Sequence, residues 1–167
     1  MSNHTRPDVV IREAATDDVD DLVRLVRELA RYEKEPQSAV ATAEHFRDAL
    51  FPREGSPAAY AHVAERDGAV VAMAVWFTTF STWTGRPGLW LEDLFVEPSQ
   101  RGLGIGTALL AQLARICAER DWTRLEWAVL DWNTPAVEFY RSHGAQPQDD
   151  WTTFRLTGEA LHRLGGT

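Results

Sequence analysis

Apolar positions along this chain recur with two spacings, and the switches between them lay out the elements. Val9–Arg12 is a short run that predicts a first strand. Thr16 or Asp17 can then cap a helix, since their oxygens accept from free backbone N–H groups and their charge suits the positive end of the helix dipole. Val19, Leu22, Val23, Val26, Leu29 and Ala30 form a helical stripe that predicts a helix to about Glu33. A shorter helix is expected over Thr42–Leu50, bracketed by Pro36 and Pro52. The runs AAYAHVAER and AVVAMAVWFTTF read as strands joined at Asp67-Gly68, a pair suited to positive φ in a tight turn.

The loop STWTGRPG leads into a strand, LWLEDLFVE. Leu109, Leu110, Leu113 and Ile116 mark a helix from Gly104 to about Arg120, followed by the strand RLEWAVL. NTPAVEFYRSHG predicts another helix, TTFRL a last strand, and TGEALHRL a short closing helix. The core order β-α-α-β-β-β-α-β-α-β describes an α/β (α+β) fold, a mixed sheet with helices packed on it. Its strand–glycine loop–helix–strand portion is the natural parallel crossover unit. No repeat or linker divides the chain, so residues 1–167 are expected to form one domain.

One strand resists this patterning. In WLEDLFV, strict alternation sends Glu92 and Asp93 to opposite faces, yet Trp90, Leu94 and Val96 on one side and Leu91 and Phe95 on the other leave neither as a solvent face. Two adjacent charges in a core-like strand call for a functional reason.

Composition narrows the function classes. The chain is 44% hydrophobic and 25% charged, ordinary for a soluble globular protein. A net charge of −8 argues against nucleic acid as a partner, because phosphate binding needs a basic surface, and is compatible with a cationic substrate. The N-terminal MSNHTRPDVVIREA has no apolar signal core, and AVVAMAVWF is too short to span a bilayer, so a cytoplasmic protein is expected. The single cysteine, Cys117, lies in a helical pattern among apolar neighbours and reads as a buried structural thiol. The five histidines show no metal-ligand spacing, and no metal is expected.

Arg101-Gly102-Leu103-Gly104-Ile105-Gly106 fails the dinucleotide fingerprint G-x-G-x-x-G and lacks the Lys-Ser/Thr pair of a P-loop. Glycines ahead of a helix still let backbone N–H groups approach a diphosphate, and the helix N-terminus and Arg101 add positive charge. The spacing R-x-x-G-x-G resembles the pyrophosphate loop of the Gcn5-related N-acetyltransferases. From Leu89 to Phe154 the chain is similar to the diamine (spermidine/spermine) branch of that superfamily, through LWLEDLFVEPSQRGLGIG and VLDWNTPAVEFYRSHGA. ELARYEKEP and FTTFSTW extend the likeness over most of the chain.

The resemblance implies acetyl-CoA as cofactor, direct attack of a primary amine on its thioester, and a homodimer. A lysine-like amine is neutral only about once in 2,500 molecules at pH 7, a cost of about 4.6 kcal/mol. Glu92 is the implied base or water relay, and binding the ammonium without taking its proton is the alternative. Asp93, on the opposite face, is expected to hydrogen-bond structurally. Tyr140 is the implied general acid, since a phenol stays protonated at pH 7 and can donate to a departing thiolate. Implied cofactor contacts are Leu94, Phe95, Val96, Arg101, Gly102, Leu103, Gly104, Ile105, Gly106 and Thr107, with Asn133 and Tyr140. A strand bulge is implied near Leu94, turning a backbone N–H toward the thioester oxygen. Asn133 equally suits a helix cap.

For the amine, Glu33, Glu35, Trp83, Glu92, Asp149, Asp150 and Trp151 are the expected groove, acids holding ammonium groups and indole faces adding cation–π attraction. The polyamine enzymes tend to carry an acid two residues before the tryptophan that matches Trp83. This chain has Ser81 there, and its acidic segment QPQDDW is shorter. A related branch acts on thialysine and similar short diamine-like amino acids. A protein-lysine acetyltransferase and a non-catalytic acyl-CoA sensor are the alternative readings.

Overall fold

A computed structural model describes residues 9–166, and Met1–Asp8 and Thr167, including much of the N-terminal stretch read for a signal core, lie outside the described residues. Two compact units divide after Ala128.

The first unit is built on a five-stranded sheet in the order β1-β2-β3-β4-β5. Its strands are β1 (Val9–Glu13), β2 (Tyr60–Arg66), β3 (Ala69–Ser81), β4 (Arg86–Val96) and β5 (Leu125–Trp127). The first four are antiparallel neighbours, and β5 pairs parallel with β4 through Leu89–Leu125, Trp90–Glu126 and Leu91–Trp127. Asp67 (φ 52°) and Gly68 (φ 78°) both occupy the left-handed region, so the β2–β3 turn takes the form that its Asp-Gly pair predicts.

Helices α1 (Val19–Tyr32) and α2 (Ala43–Leu50) cover one face, where Leu22, Leu25 and Leu50 pack with Val63, Met73, Val75 and Phe95. Helix α3 (Ile105–Glu119) buries Leu109, Leu113 and Ile116, as its stripe requires. Each such side chain contributes about 1.5–3 kcal/mol by leaving water. Cys117 is buried, its Sγ 3.7 Å from the Arg124 carbonyl, and burial pushes its thiol up from the ordinary value.

Helix α1 starts later than the capping residues suggest. Neither Thr16 nor Asp17 caps it, because Thr16–Asp18 forms a separate 3-10 turn. Asp18 does the local work: its carboxylate accepts from the Ala15 N–H at 2.7 Å and from Arg12 at 2.6 and 2.9 Å. The hydrogen bond from Arg12 holds the Asp18 carboxyl below the usual range. Helix α2 begins where predicted, with Thr42 Oγ1 accepting from the His45 N–H at 3.3 Å.

The second unit carries α4 (Thr134–Ser142) and α5 (Gly158–Gly165). The strand expected at TTFRL is absent. Thr152–Leu156 is exposed and pairs with no strand, so its β-branched and aromatic residues lack the neighbour that would make them a ladder. Strand β5 is likewise shorter than RLEWAVL, ending at Trp127. Among the described residues no helix is long and apolar enough to cross a membrane.

Candidate active site

The odd strand β4 resolves through its register. Asp93 pairs with Val75, but the next residue of β3, Trp76, pairs with Leu91, leaving Glu92 as an extra residue in a β-bulge. Val75 points into the α1–α2 core, so its partner Asp93 does too, together with Phe95. Trp76 and Leu91 face the other way. The bulge therefore shifts the alternation by one. Trp90 shares its face with Asp93 and Phe95, and Leu94 and Val96 lie opposite.

This corrects the expectation that the two acids diverge. Glu92 is exposed and accepts a hydrogen bond from Trp90 Nε1 at 2.9 Å, which ties its carboxylate to the face of Asp93. Asp93 is half-buried, and burial, the charge of Glu92 and the charge of Glu33 push its carboxyl up to about 6. Glu33, just past the end of α1, is itself raised by burial. Three acids from two elements thus meet on one side of the sheet.

Strict alternation through the strand separated Glu92 from Asp93, and the bulge brings them to one face. The signal was present: two adjacent acids without a solvent face are the mark of a bulge. The bulge implied near Leu94 does occur in this strand, at Glu92.

Strand β5 stops opposite Leu91, so β4 runs on from Glu92 to Val96 with no ladder partner on that edge. The backbone of Leu94, Phe95 and Val96 therefore pairs with β3 alone. The turn Pro98–Gln100 and the glycine loop follow directly. Gly102 (φ 78°) and Gly104 (φ 79°) both adopt the left-handed conformation, and a Cβ at either would meet nothing within 4 Å. Their requirement is conformational. Gly104 is the N-cap of α3, and the first helical bond runs from Ala108 N–H to its carbonyl at 2.9 Å. The N–H groups of Ile105, Gly106 and Thr107 precede that bond and have no acceptor within the helix. Leu103 is exposed and Ile105 is buried.

Arg101 is more constrained than a free phosphate contact. Its Nε donates to the Val96 carbonyl at 3.1 Å, and its guanidinium lies 4.9 Å from the Tyr32 ring centre and 5.7 Å from that of Phe95. Two further arginines, unforeseen from sequence, brace the approach to the loop. Arg24 on α1 reaches Glu97 at 2.5 Å and the Val70 carbonyl at 2.8 Å, and Arg66 reaches Gln100 at 2.5 Å. These contacts join residues distant in sequence, and no local spacing announces them.

The other expected site residues have the following surroundings. Glu35 is exposed, accepting from Ser38 Oγ at 3.3 Å, and Trp83 is 88% exposed in the β3–β4 loop. In the second unit, buried Asn133 caps α4 by accepting from the Ala136 N–H at 3.4 Å. Tyr140 is half-buried on α4, its ring edge-on to Phe139 at 5.2 Å. Asp149, Asp150 and Trp151 are exposed. Among the described residues, no group of three or more His, Cys, Asp or Glu could hold a metal ion.

Residues 22–145 match the Acetyltransferase (GNAT) family. The chain is 36% identical over 169 residues to the thialysine N-epsilon-acetyltransferase of Bos taurus, covering 95% of this chain and 98% of that protein. It is 31% identical to the spermidine/spermine N(1)-acetyltransferase-like protein 1 of Homo sapiens over 90% of this chain, which spans 23% of that larger protein. An integron cassette protein from the mobile metagenome of V. cholerae superposes with a TM-score of 0.79 at 27% identity, covering 95% of this chain and 98% of that one.

Proposed function

The chain belongs to the GNAT acetyltransferase family and is an N-acetyltransferase, and on that premise we propose that it transfers acetyl from acetyl-CoA to the primary amine of a thialysine-like or short diamine substrate. The observation that carries the substrate class is the bulge at Glu92, which gathers Glu92, Asp93 and Glu33 on one face. Such a group suits an ammonium and repels an anionic substrate. The similarity to thialysine N-epsilon-acetyltransferases and the Ser81 position favour the short amino-acid amine over the long polyamine.

The residues present fit the CoA group. The left-handed glycines and the free N–H groups of residues 105–107 suit its diphosphate, with Arg101 adding charge, and the unpartnered edge of β4 suits an extended arm. When bound, acetyl-CoA supplies an activated acyl thioester. Glu92 holds the ammonium. Asp93 takes its proton, directly or through water, because a carboxyl at about 6 narrows the mismatch with the amine by about two units relative to an ordinary aspartate. Tyr140 returns a proton at the departing sulfur, and Asn133 contributes a cofactor contact beside its cap.

The proposal takes residues 1–167 as one catalytic domain. It takes the enzyme as a homodimer, as the sequence resemblance implies, and as cytoplasmic, as the N-terminal composition suggests.

The test is release of CoA thiol from acetyl-CoA with thialysine, lysine, putrescine, spermidine, an aminoglycoside and a lysine peptide. Thialysine or another short amine is expected to give the highest kcat/KM. Thiol release with none of them, despite CoA binding, refutes the proposal. Tyr140→Phe separates catalysis from acyl-CoA sensing: turnover is expected to fall while CoA affinity holds.

A further inference from the structure

A cavity of about 340 Å³ lies at the end of α3 opposite the glycine loop. Helix α3 has 15 residues, so about 22 Å of helix separates the two ends. The cavity is lined by Glu13 at the end of β1, Tyr60 and His62 on β2, Trp76 on β3, Phe51 after α2, and Arg120 after α3. Of these only Trp76 touches the site described above, through the backbone pair with Leu91 that flanks the bulge.

Its chemistry is specific. His62 is 2% exposed, and its Nδ1 accepts from Trp76 Nε1 at 3.2 Å. A neutral imidazole that accepts at Nδ1 carries its proton on Nε2, so His62 has one donor to offer an occupant. Burial lowers the His62 pKa, against the opposing charge of Glu13, its cross-strand partner. Tyr60 stacks on Trp76 with ring centres 4.6 Å apart, giving the cavity a flat apolar wall. Arg120 lies 5.0 Å over the Trp122 ring. Among the described residues, neither the Glu13 carboxylate nor the Arg120 guanidinium forms an ion pair, with each other or with any neighbour.

Two opposite, uncompensated charges on the rim of one cavity, with a buried donor and an aromatic wall between them, describe a receptor for a zwitterion. We propose that this cavity binds a free α-amino acid with an apolar side chain. Arg120 and the His62 donor take the carboxylate, Glu13 takes the ammonium, and Tyr60, Trp76 and Phe51 receive the side chain. The site is independent of the acetyl-transfer centre and stands or falls without it.

L-leucine is the probe, followed through the Trp76 indole resonance in proton–nitrogen correlation NMR, since that N–H bonds His62 at the cavity wall. Isoamylamine lacks the carboxylate and isocaproate lacks the ammonium. The expected result is a saturable shift with leucine and binding about tenfold weaker or less for both truncated molecules. Glu13→Gln and Arg120→Gln, both exposed positions, should each weaken leucine by about tenfold while leaving the melting temperature and CoA affinity unchanged. The proposal is overturned by the absence of a saturable leucine shift. It is equally overturned if either truncated molecule binds as well as leucine, or if both variants bind leucine like the parent protein.

Discussion

Asp93 sits directly across the sheet from Val75, a residue of the apolar core, and so carries a carboxylate onto a face that its sequence neighbours do not predict. Its carboxyl lies at about 6 because burial, Glu92 and Glu33 all disfavour its charge. If Asp93 must be ionised to accept the amine's proton, kcat/KM rises with pH through an acid limb near that value. Asp93→Asn should abolish the limb together with most turnover. Glu92→Gln and Glu33→Gln each remove one repelling charge and should move the limb toward the ordinary aspartate value. A pH–rate profile of the three variants checks this, and an unmoved limb in both glutamine variants rejects the coupling.

The Arg24–Glu97 pair clamps α1 to the end of β4, immediately before the turn that leads into the glycine loop. Both side chains are part-exposed, so water screens the pair, and Arg24→Met should cost about 1–2 kcal/mol of stability. Because Arg24 also holds the Val70 carbonyl, the same change frees the loop's anchor. Weaker CoA binding is expected alongside a lower melting temperature, both readable by calorimetry.

Gly104 tests whether the loop's need is conformational or steric. A Cβ there meets nothing within 4 Å, but φ is +79°. Gly104→Ala should therefore cost about 1–2 kcal/mol through backbone strain alone. The loop would relax, and CoA affinity should fall about tenfold. Titration of CoA against the variant settles it: unchanged affinity means the left-handed cap is dispensable.

His62 makes stability pH-dependent in a defined direction. Burial depresses its folded pKa below the unfolded value near 6.5. Its contribution is thus present above about 6.5 and is lost as pH falls toward the folded value, because the unfolded chain takes the proton first. Asp93 acts with the opposite sign: raised from 3.8 to about 6, it favours the fold at low pH, and that contribution is lost as pH rises through about 6. Compared with the parent, His62→Gln should lose less stability between neutral and mildly acidic pH, and Asp93→Asn less between acid and neutral. Thermal melts across that range measure both differences.

Much of the first unit was readable because its signals are local. The stripe of α1, the Asp67-Gly68 turn and the glycines before α3 each carry their cause within a few residues. The failures share a different origin. TTFRL has the composition of a strand, but a strand exists only through a partner, and none pairs with it. The face that Asp93 occupies depends on a single unpaired residue, whose place is fixed by β3 rather than by β4 itself. The clamps at Arg24 and Arg66 join positions 73 and 34 residues away, beyond any periodicity.

The extra residue at Glu92 has a consequence for how the β3–β4 hairpin forms. It splits β4 into two segments of opposite phase, Arg86–Leu91 and Asp93–Val96. Sliding an uninterrupted strand by one position inverts all its side chains together, and a flat hairpin with apolar residues on both faces can tolerate that error. Here a slip that suits one segment leaves the other inverted, driving Asp93 or Leu91 to the wrong side. The single odd residue is a vernier mark that admits only one alignment of the longest hairpin among the described residues.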